Sequence, residues 1–310
     1  QSTPPYYAYL KVADGCDNCC SYCAIPLIRG KFRSRPVEEI VQEAKTFAAC
    51  GVKELIVIAQ DTTRYGEDLY GTLMLPALLQ ELCKIDGVRW IRLLYCYPDR
   101  ITDELLHLIA KEEKIVKYLD LPLQHCSADI LKAMNRRGDR ESLTALIRKI
   151  RHTVPGIVLR TTLITGFPGE TQQDFEELSA FVNEIGFERL GCFAYSQEED
   201  TPAAAFAGQI DEKIKNRRQE IIMEQQHTIM ERYCQGLLSR TLDVLVEGFD
   251  RYAECFFGRS AADAPDVDGK VFFTCNESKP KPGQFVKVRI CDYLDCDPIG
   301  ELVQKDGALT

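Results

Sequence analysis

Gly15-Cys-Asp-Asn-Cys-Cys-Ser-Tyr-Cys23 places four cysteines in nine residues. Three of them, Cys16, Cys20 and Cys23, have the spacing C-x3-C-x2-C. Seven peptide steps separate the first from the last, so the three thiols face one small object or none. A structural zinc site closes with four ligands, and an iron–sulfur cluster usually takes four thiolates. Three thiolates at this spacing point to a 4Fe–4S cluster with one iron left open to a small molecule. Cys19 keeps alternatives open: Cys16, Cys19 and Cys23 have the reversed spacing, and all four cysteines could tie a zinc knot. The expected ligands are Cys16, Cys20 and Cys23, with Cys19 a bystander.

The surroundings of this loop set the fold class. Residues 7–13 read as a strand feeding it. After Pro36 a helix is expected, with Glu38 and Glu39 at its positive end and Gly51 as its stop. Leu55–Ala59 follows as a continuous apolar strand. The alternation then repeats: helix 72–86, strand Trp90–Tyr95, helix 102–112, strand Tyr118–Leu123, helices 127–135 and 139–152, strand Val158–Thr165, helix 171–185 and strand Arg189–Ser196. Six strands alternating with helices predict a parallel sheet, as an open sheet or a partial barrel. In a parallel barrel the chemistry lies at the strand C-terminal ends, where the cysteine loop falls.

Residues 211–239 predict one long helix capped by Asp211, with Ile214, Ile221, Ile222, Gln225, Ile229, Tyr233 and Leu237 on one face. Its cations Lys213, Lys215, Arg217 and Arg218 read as a solvated face. From about 240 the texture changes to period-two alternation (Leu242/Val244/Val246, Val286/Val288/Ile290) between turn-rich segments such as 264–269 and 279–283. The expected domains are 1–210, a connecting helix at 211–239, and a small antiparallel β-barrel at 240–310.

Composition bounds the function. The 310 residues are 45% hydrophobic and 27% charged, ordinary for a globular protein, with no apolar run of membrane-spanning length. Ten of the fourteen cysteines are scattered, which reads as reduced thiols and a cytoplasmic location rather than a disulfide framework. No signal peptide and no initiator Met is present, so residue 1 is expected to be a cut point in a longer protein. A net charge of −9 argues against a broad phosphate-binding surface and suits a basic protein partner.

The cysteine loop, with Tyr22 as the aromatic before its last cysteine, resembles that of the radical S-adenosylmethionine (SAM) enzymes. The resemblance extends to the whole chain, which is similar to the radical SAM methylthiotransferases without their N-terminal domain. It implies an α/β fold: a radical SAM partial (β/α)6 barrel followed by a TRAM-like β-barrel. Ile58–Gly66, Leu94–Pro98, Leu121–Cys126, Arg160–Glu170 and Tyr195–Glu199 resemble the branch that modifies a small-subunit ribosomal protein rather than the tRNA adenosine branch. Cys19, Cys96 and Cys126 depart from the residues expected there.

The resemblance implies an enzyme that adds a methylthio group to the β-carbon of an aspartate. One electron from the cluster cleaves SAM to methionine and a 5′-deoxyadenosyl radical, which removes hydrogen. Sulfur then comes from a second 4Fe–4S cluster, expected in the absent N-terminal domain. The expected SAM contacts are Tyr22 on the adenine side, Gln60 and Asp61 at the amino group, and Gln124 and Ser127 near the ribose. Gly166 would admit backbone to the ligand, and Arg160 would meet the carboxylate. Gly166 as a plain turn and Arg160 as a structural ion pair are the competing readings, and His125 reads as a core histidine. No residue is expected as a general acid or base. A domain over the barrel mouth would protect the radical from quenching.

Between 240 and 303 there are eight Lys/Arg and twelve Asp/Glu. RNA affinity comes from neutralising phosphates, so an acidic barrel favours a basic ribosomal protein and makes nucleic acid the less expected substrate. An electron donor such as a flavodoxin or ferredoxin and a monomeric state complete the expectation. The remaining alternative is a non-catalytic ribosome- or RNA-binding protein with a structural metal.

Overall fold

The computed structural model describes residues 3–275 and 279–303. Residues 1–2 and 304–310 of the expected domain spans, and Glu277 of the acidic count, lie outside them. Six strands, β1 (Tyr7–Lys11), β2 (Glu54–Ile58), β3 (Trp90–Leu93), β4 (Ile115–Asp120), β5 (Val158–Thr165) and β6 (Arg189–Ala194), form one all-parallel sheet in sequential order. Besides two short helical turns at Ile25–Arg29 and Glu67–Tyr70, the helices that join or follow them are α1 (Val37–Ala49), α2 (Leu75–Cys83), α3 (Asp103–Lys111), α4 (Ala128–Ala133), α5 (Arg140–Thr153), α6 (Gln172–Ile185) and α7 (Glu212–Gln235).

The helices cover one face of the sheet. Leu55, Val57, Ile91, Leu119, Leu159 and Leu163 pack there with Ile40, Leu79, Ile109, Ile147 and Leu178 in one core. Strand β5 shows the division. Leu159, Thr161, Leu163 and Thr165 are buried on the helix side, whereas Arg160, Thr162 and Ile164 are half-exposed on the other. That second face lines the lumen of the partial barrel.

Strand β4 begins and ends three residues earlier than the sequence predicts. Pro122 cannot donate to a ladder, so regular pairing stops at Asp120. Beyond it the Thr161 hydroxyl bonds Leu121 and Leu123, and backbone bridging with β5 returns at the isolated bridge between Gln124 and Leu163. Helix α7 is rotated from the predicted face. Ile214 is 48% exposed, while Lys215 and Arg218 are buried. The solvated-face reading therefore fails for these two cations. Lys215 Nζ donates to the Tyr195 carbonyl at 3.0 Å, and Arg218 pairs with buried Glu170 at 2.6 Å. Local ion pairs let the long side chains enter the core, which periodicity alone cannot reveal.

Five further strands, β7 (Thr241–Asp250), β8 (Cys255–Ser260), β9 (Val271–Thr274), β10 (Phe285–Leu294) and β11 (Asp297–Leu302), close a small barrel. Val244, Val246, Val271, Phe273, Val288 and Ile290 fill it. Among the described residues, four of its junctions are antiparallel and the β9–β11 junction is parallel.

This barrel docks at the N-terminal ends of the sheet strands, opposite the cysteine loop. Segment 259–268 enters the lumen from below. Arg259 reaches Glu54 at 2.6 Å and Glu247 at 2.7 Å; Glu54 also holds Arg92 at 2.8 Å. Asp263 pairs with Arg189 at 2.6 Å, and Tyr118 donates to Asp268 at 2.6 Å. The terminal barrel thus forms a floor beneath the sheet. Part of the acidic excess is spent in this seam: Asp263, Asp268 and Glu247 face inward, as does Arg259. The count that remains for a partner surface is nine acidic to seven basic.

Candidate active site

Every strand end contributes to the mouth. After β1 the chain enters the cysteine loop through Gly15, at φ +78°, where a Cβ would lie 2.1 Å from the Lys31 carbonyl oxygen. Only glycine allows that approach, and it lets Cys16 N–H donate to Gly30 O at 3.1 Å. The loop is then tied to its neighbours. Ser21 N–H donates to Met134 O and Ser21 Oγ to Ala133 O, fixing it to α4. Asn18 Nδ2 donates to Asp61 at 2.9 Å, fixing it to the end of β2.

Cys16, Cys20 and Cys23 are half-buried, and none is in a disulfide. Burial pushes the Cys16 thiol up to about 11, opposed by the Asn18 N–H and reinforced by Asp61, Cys20 and Cys23. Burial likewise raises Cys23, with Cys20 adding to it. Cys19 is exposed and sits at φ +51°. Among the described residues no three His, Cys, Asp or Glu side chains converge closely enough to hold a single ion. A lone zinc needs its sulfurs about 2.3 Å from one centre, whereas a four-iron cluster spreads them over its corners.

Asp61 is 1% exposed and serves the loop. It accepts from Asn18, Thr63 and the Arg64 N–H, and pairs with Arg100 at 3.3 Å. Beside it, Gln60 Oε1 is buried with no hydrogen-bond partner among the described residues. A buried acceptor left unpaired costs about 1–3 kcal/mol, and a ligand donor at the mouth would relieve it. Tyr22 packs against Ile130, Met134, Phe167, Tyr195 and Ala203.

Besides Cys19, Tyr95 after β3 (φ +60°) and Gln124 after β4 (φ +71°) adopt left-handed backbone. Gln124 still pairs through its backbone with Thr162 and Ile164, both at 2.8 Å. Ser127 Oγ donates to Asp174 at 2.6 Å, so its hydroxyl is already engaged. The space vacated by the missing Cβ of Gly166 (φ +71°) is filled by Lys215, whose Cγ would lie 2.0 Å from such an atom. Gly166 N–H donates to Glu170, which also holds Arg218 and lies 3.6 Å from buried His125. Arg160 is held between Asp120 and Asp268, each at 3.4 Å.

Residues 10–182 match the radical SAM superfamily and residues 239–303 the TRAM domain. The chain is 51% identical over 300 residues to the ribosomal protein uS12 methylthiotransferase RimO of Caldanaerobacter subterraneus subsp. tengcongensis, covering 97% of this chain and 68% of that protein. It is 49% identical over 304 residues to RimO of Geotalea uraniireducens, covering 98% and 67%. The chain belongs to the RimO family of radical SAM methylthiotransferases. Among solved structures, the radical SAM methyltransferase TsrM of Kitasatospora setae aligns with a TM-score of 0.50 at 17% identity, over 61% of this chain and 36% of that one. Coproporphyrinogen III oxidase (HemN) of Escherichia coli aligns at 0.50 and 19% identity, over 74% and 54%. At these identities the likeness is one of fold.

Within the RimO framework, one important neighbour of the cysteines has no motif to announce it. Arg136, after α4, places Nη1 3.8 Å from Cys20 Sγ and donates from Nη2 to Pro122 O at 2.7 Å. Its guanidinium lies 4.3 Å from the centre of the Tyr97 ring. It is a cation held beside three thiols that as metal ligands would be anionic. The signal in the sequence was only Asn135-Arg-Arg-Gly138 following a short helix.

Proposed function

We propose that this chain carries a 4Fe–4S cluster on Cys16, Cys20 and Cys23, binds SAM beside it, and serves the methylthiolation of the β-carbon of an aspartate in a uS12-type ribosomal protein. The observation that carries the reading is the half-buried cysteine trio at the C-terminal mouth of a six-stranded parallel sheet, in a chain about half-identical to RimO proteins. When bound, the cluster and SAM supply the one-electron chemistry that removes hydrogen from an unactivated carbon.

The protein's own groups have distinct tasks. Asp61 and Asn18 hold the loop in place, and Arg136 offsets the thiolate charge. Tyr22, Gln60, Gln124, Ser127, Gly166 and Arg160 border the volume in which SAM would lie. In this reading Gln60 Oε1 accepts from the SAM amino group. Ser127 and Gly166 act indirectly, by shaping the ends of β4 and β5. The sulfur donor is a second 4Fe–4S cluster held outside these 310 residues, because the other ten cysteines form no comparable group. The reading includes a monomer working in the cytoplasm with a flavodoxin- or ferredoxin-like electron donor. Among the described residues no helix is long and apolar enough to cross a membrane.

The test is anaerobic. The full-length enzyme is reconstituted with iron and sulfide, reduced, and given SAM with a uS12 peptide or a tRNA anticodon stem-loop. A gain of one methylthio group on the peptide is the expected result. A gain on the RNA would overturn the substrate, and no 5′-deoxyadenosine in either reaction would overturn the chemistry.

A further inference from the structure

Arg160 lies in the lumen between mouth and floor, with its side chain 17% exposed. Its Nη1 faces Asp120 and its Nε faces Asp268, both at 3.4 Å. Its Nη2 makes no hydrogen bond among the described residues, yet it is not one of the buried unpaired atoms. Across from it stands Gly191, where an added Cβ would lie 3.9 Å from Nη2 and 3.4 Å from the Phe193 ring. Phe193 is 56% exposed and Tyr95 48% exposed, although both are large aromatics on a cavity wall. The result is a guanidinium with one free edge, held on its other sides by two carboxylates.

One of those carboxylates comes from the other domain. Asp268 lies in the segment that enters from the terminal barrel, and its side chain is 3% exposed. Its two oxygens divide their work: Oδ1 faces Arg160 Nε at 3.4 Å, with Arg189 Nε farther off at 4.0 Å, while Oδ2 accepts from Tyr118 Oη at 2.6 Å and from Ala264 N–H at 2.8 Å. Oδ2 therefore fixes the carboxylate, and Oδ1 is left to aim the arginine.

We propose that Asp268 is a positioning residue of the reaction cavity, through which the terminal barrel aims the free edge of Arg160 at a ligand carboxylate. A guanidinium edge suits a carboxylate. Within the function proposed above, two ligands bring one: SAM, and the aspartate that is modified. The proposal rests on that reading.

The test measures equilibrium binding of SAM and of the uS12 peptide to the full-length reconstituted enzyme, by calorimetry, for wild type and four variants. Asp268→Asn is expected to weaken one of the two ligands about tenfold. SAM as the affected ligand assigns the edge to the cofactor, and the peptide as the affected ligand assigns it to the substrate. Tyr118→Phe removes one of the two bonds that fix Asp268 Oδ2, leaves the Ala264 N–H in place, and should weaken the same ligand less than Asp268→Asn does. Arg160→Ala should weaken the same ligand, and adding Asp268→Asn to it should cost nothing more. If Asp268→Asn does not fold, Asp268→Glu, which keeps the charge and displaces its oxygens, takes its place. Unchanged affinities in the Asp268 variant, or equal losses in it and Tyr118→Phe, would make the contact merely structural and overturn the proposal. Failure of the wild type to bind either ligand would instead bring down the functional reading itself.

Discussion

Four cysteines lie within eight residues, and their surroundings separate them. Cys16, Cys20 and Cys23 are half-buried, and burial raises the Cys16 and Cys23 thiols, whereas Cys19 is exposed. Alanine at any of the three should abolish cluster loading, and Cys19→Ala should retain it, as measured by iron and acid-labile sulfide per chain. Arg136 adds a positive charge 3.8 Å from Cys20 Sγ. Charge near a cluster sets its potential, so Arg136→Ala should make the cluster harder to reduce. A potentiometric titration followed by electron paramagnetic resonance would show the midpoint moving to more negative values, and an unmoved midpoint would rule out the electrostatic role.

At the scale of elements, α7 acts as a brace across the ends of β5 and β6. Lys215 fills the space beside Gly166, and Arg218 neutralises Glu170 beneath it. Alanine at Gly166 would meet both a left-handed backbone and the Lys215 side chain, at a cost of about 2 kcal/mol or more. Thermal melts should show that loss. Lys215→Ala in the same chain should recover the steric part but not the backbone part, giving a measurable coupling. The position reads in sequence as a ligand-facing glycine. Its neighbour comes instead from a helix about fifty residues downstream, so no local pattern could identify it.

At the scale of the whole molecule, the two domains are joined by buried charge. Burial would raise the Glu54 carboxyl, but Arg92 and Arg259 outweigh it and hold its pKa below the ordinary 4.5. A depressed carboxyl contributes stability that is present above its unfolded pKa and lost as pH falls through the folded one. The seam should therefore be indifferent to pH near neutrality and loosen only below about 4.5. Trp90, the single tryptophan, packs edge-on against Phe285 of the terminal barrel at 4.7 Å and reports this by fluorescence. Glu54→Gln leaves two buried guanidinium groups short of a partner and should cost about 3–5 kcal/mol at pH 7. Urea melts would measure it, and the variant should also lose part of the acid transition. A seam this polar is strong only while every partner is present.

The alternation of strands and helices, the cysteine trio and the change of texture near residue 240 were all legible in the sequence. Hydrophobic period and short-range spacing carry that information locally. The boundaries of β4, the burial of Lys215 and Arg218, and the role of Arg136 were not, because each depends on a partner distant in sequence. The docking of the terminal barrel was equally hidden. Its acidic residues read as a partner surface when counted along the chain, yet Asp263 and Asp268 spend their charge on Arg189 and Arg160 inside the molecule. Local sequence thus determined which elements form and where the cysteine trio lies. Tertiary structure alone decided which charges face solvent and which face one another, since a buried ion pair exists only once two distant segments have met.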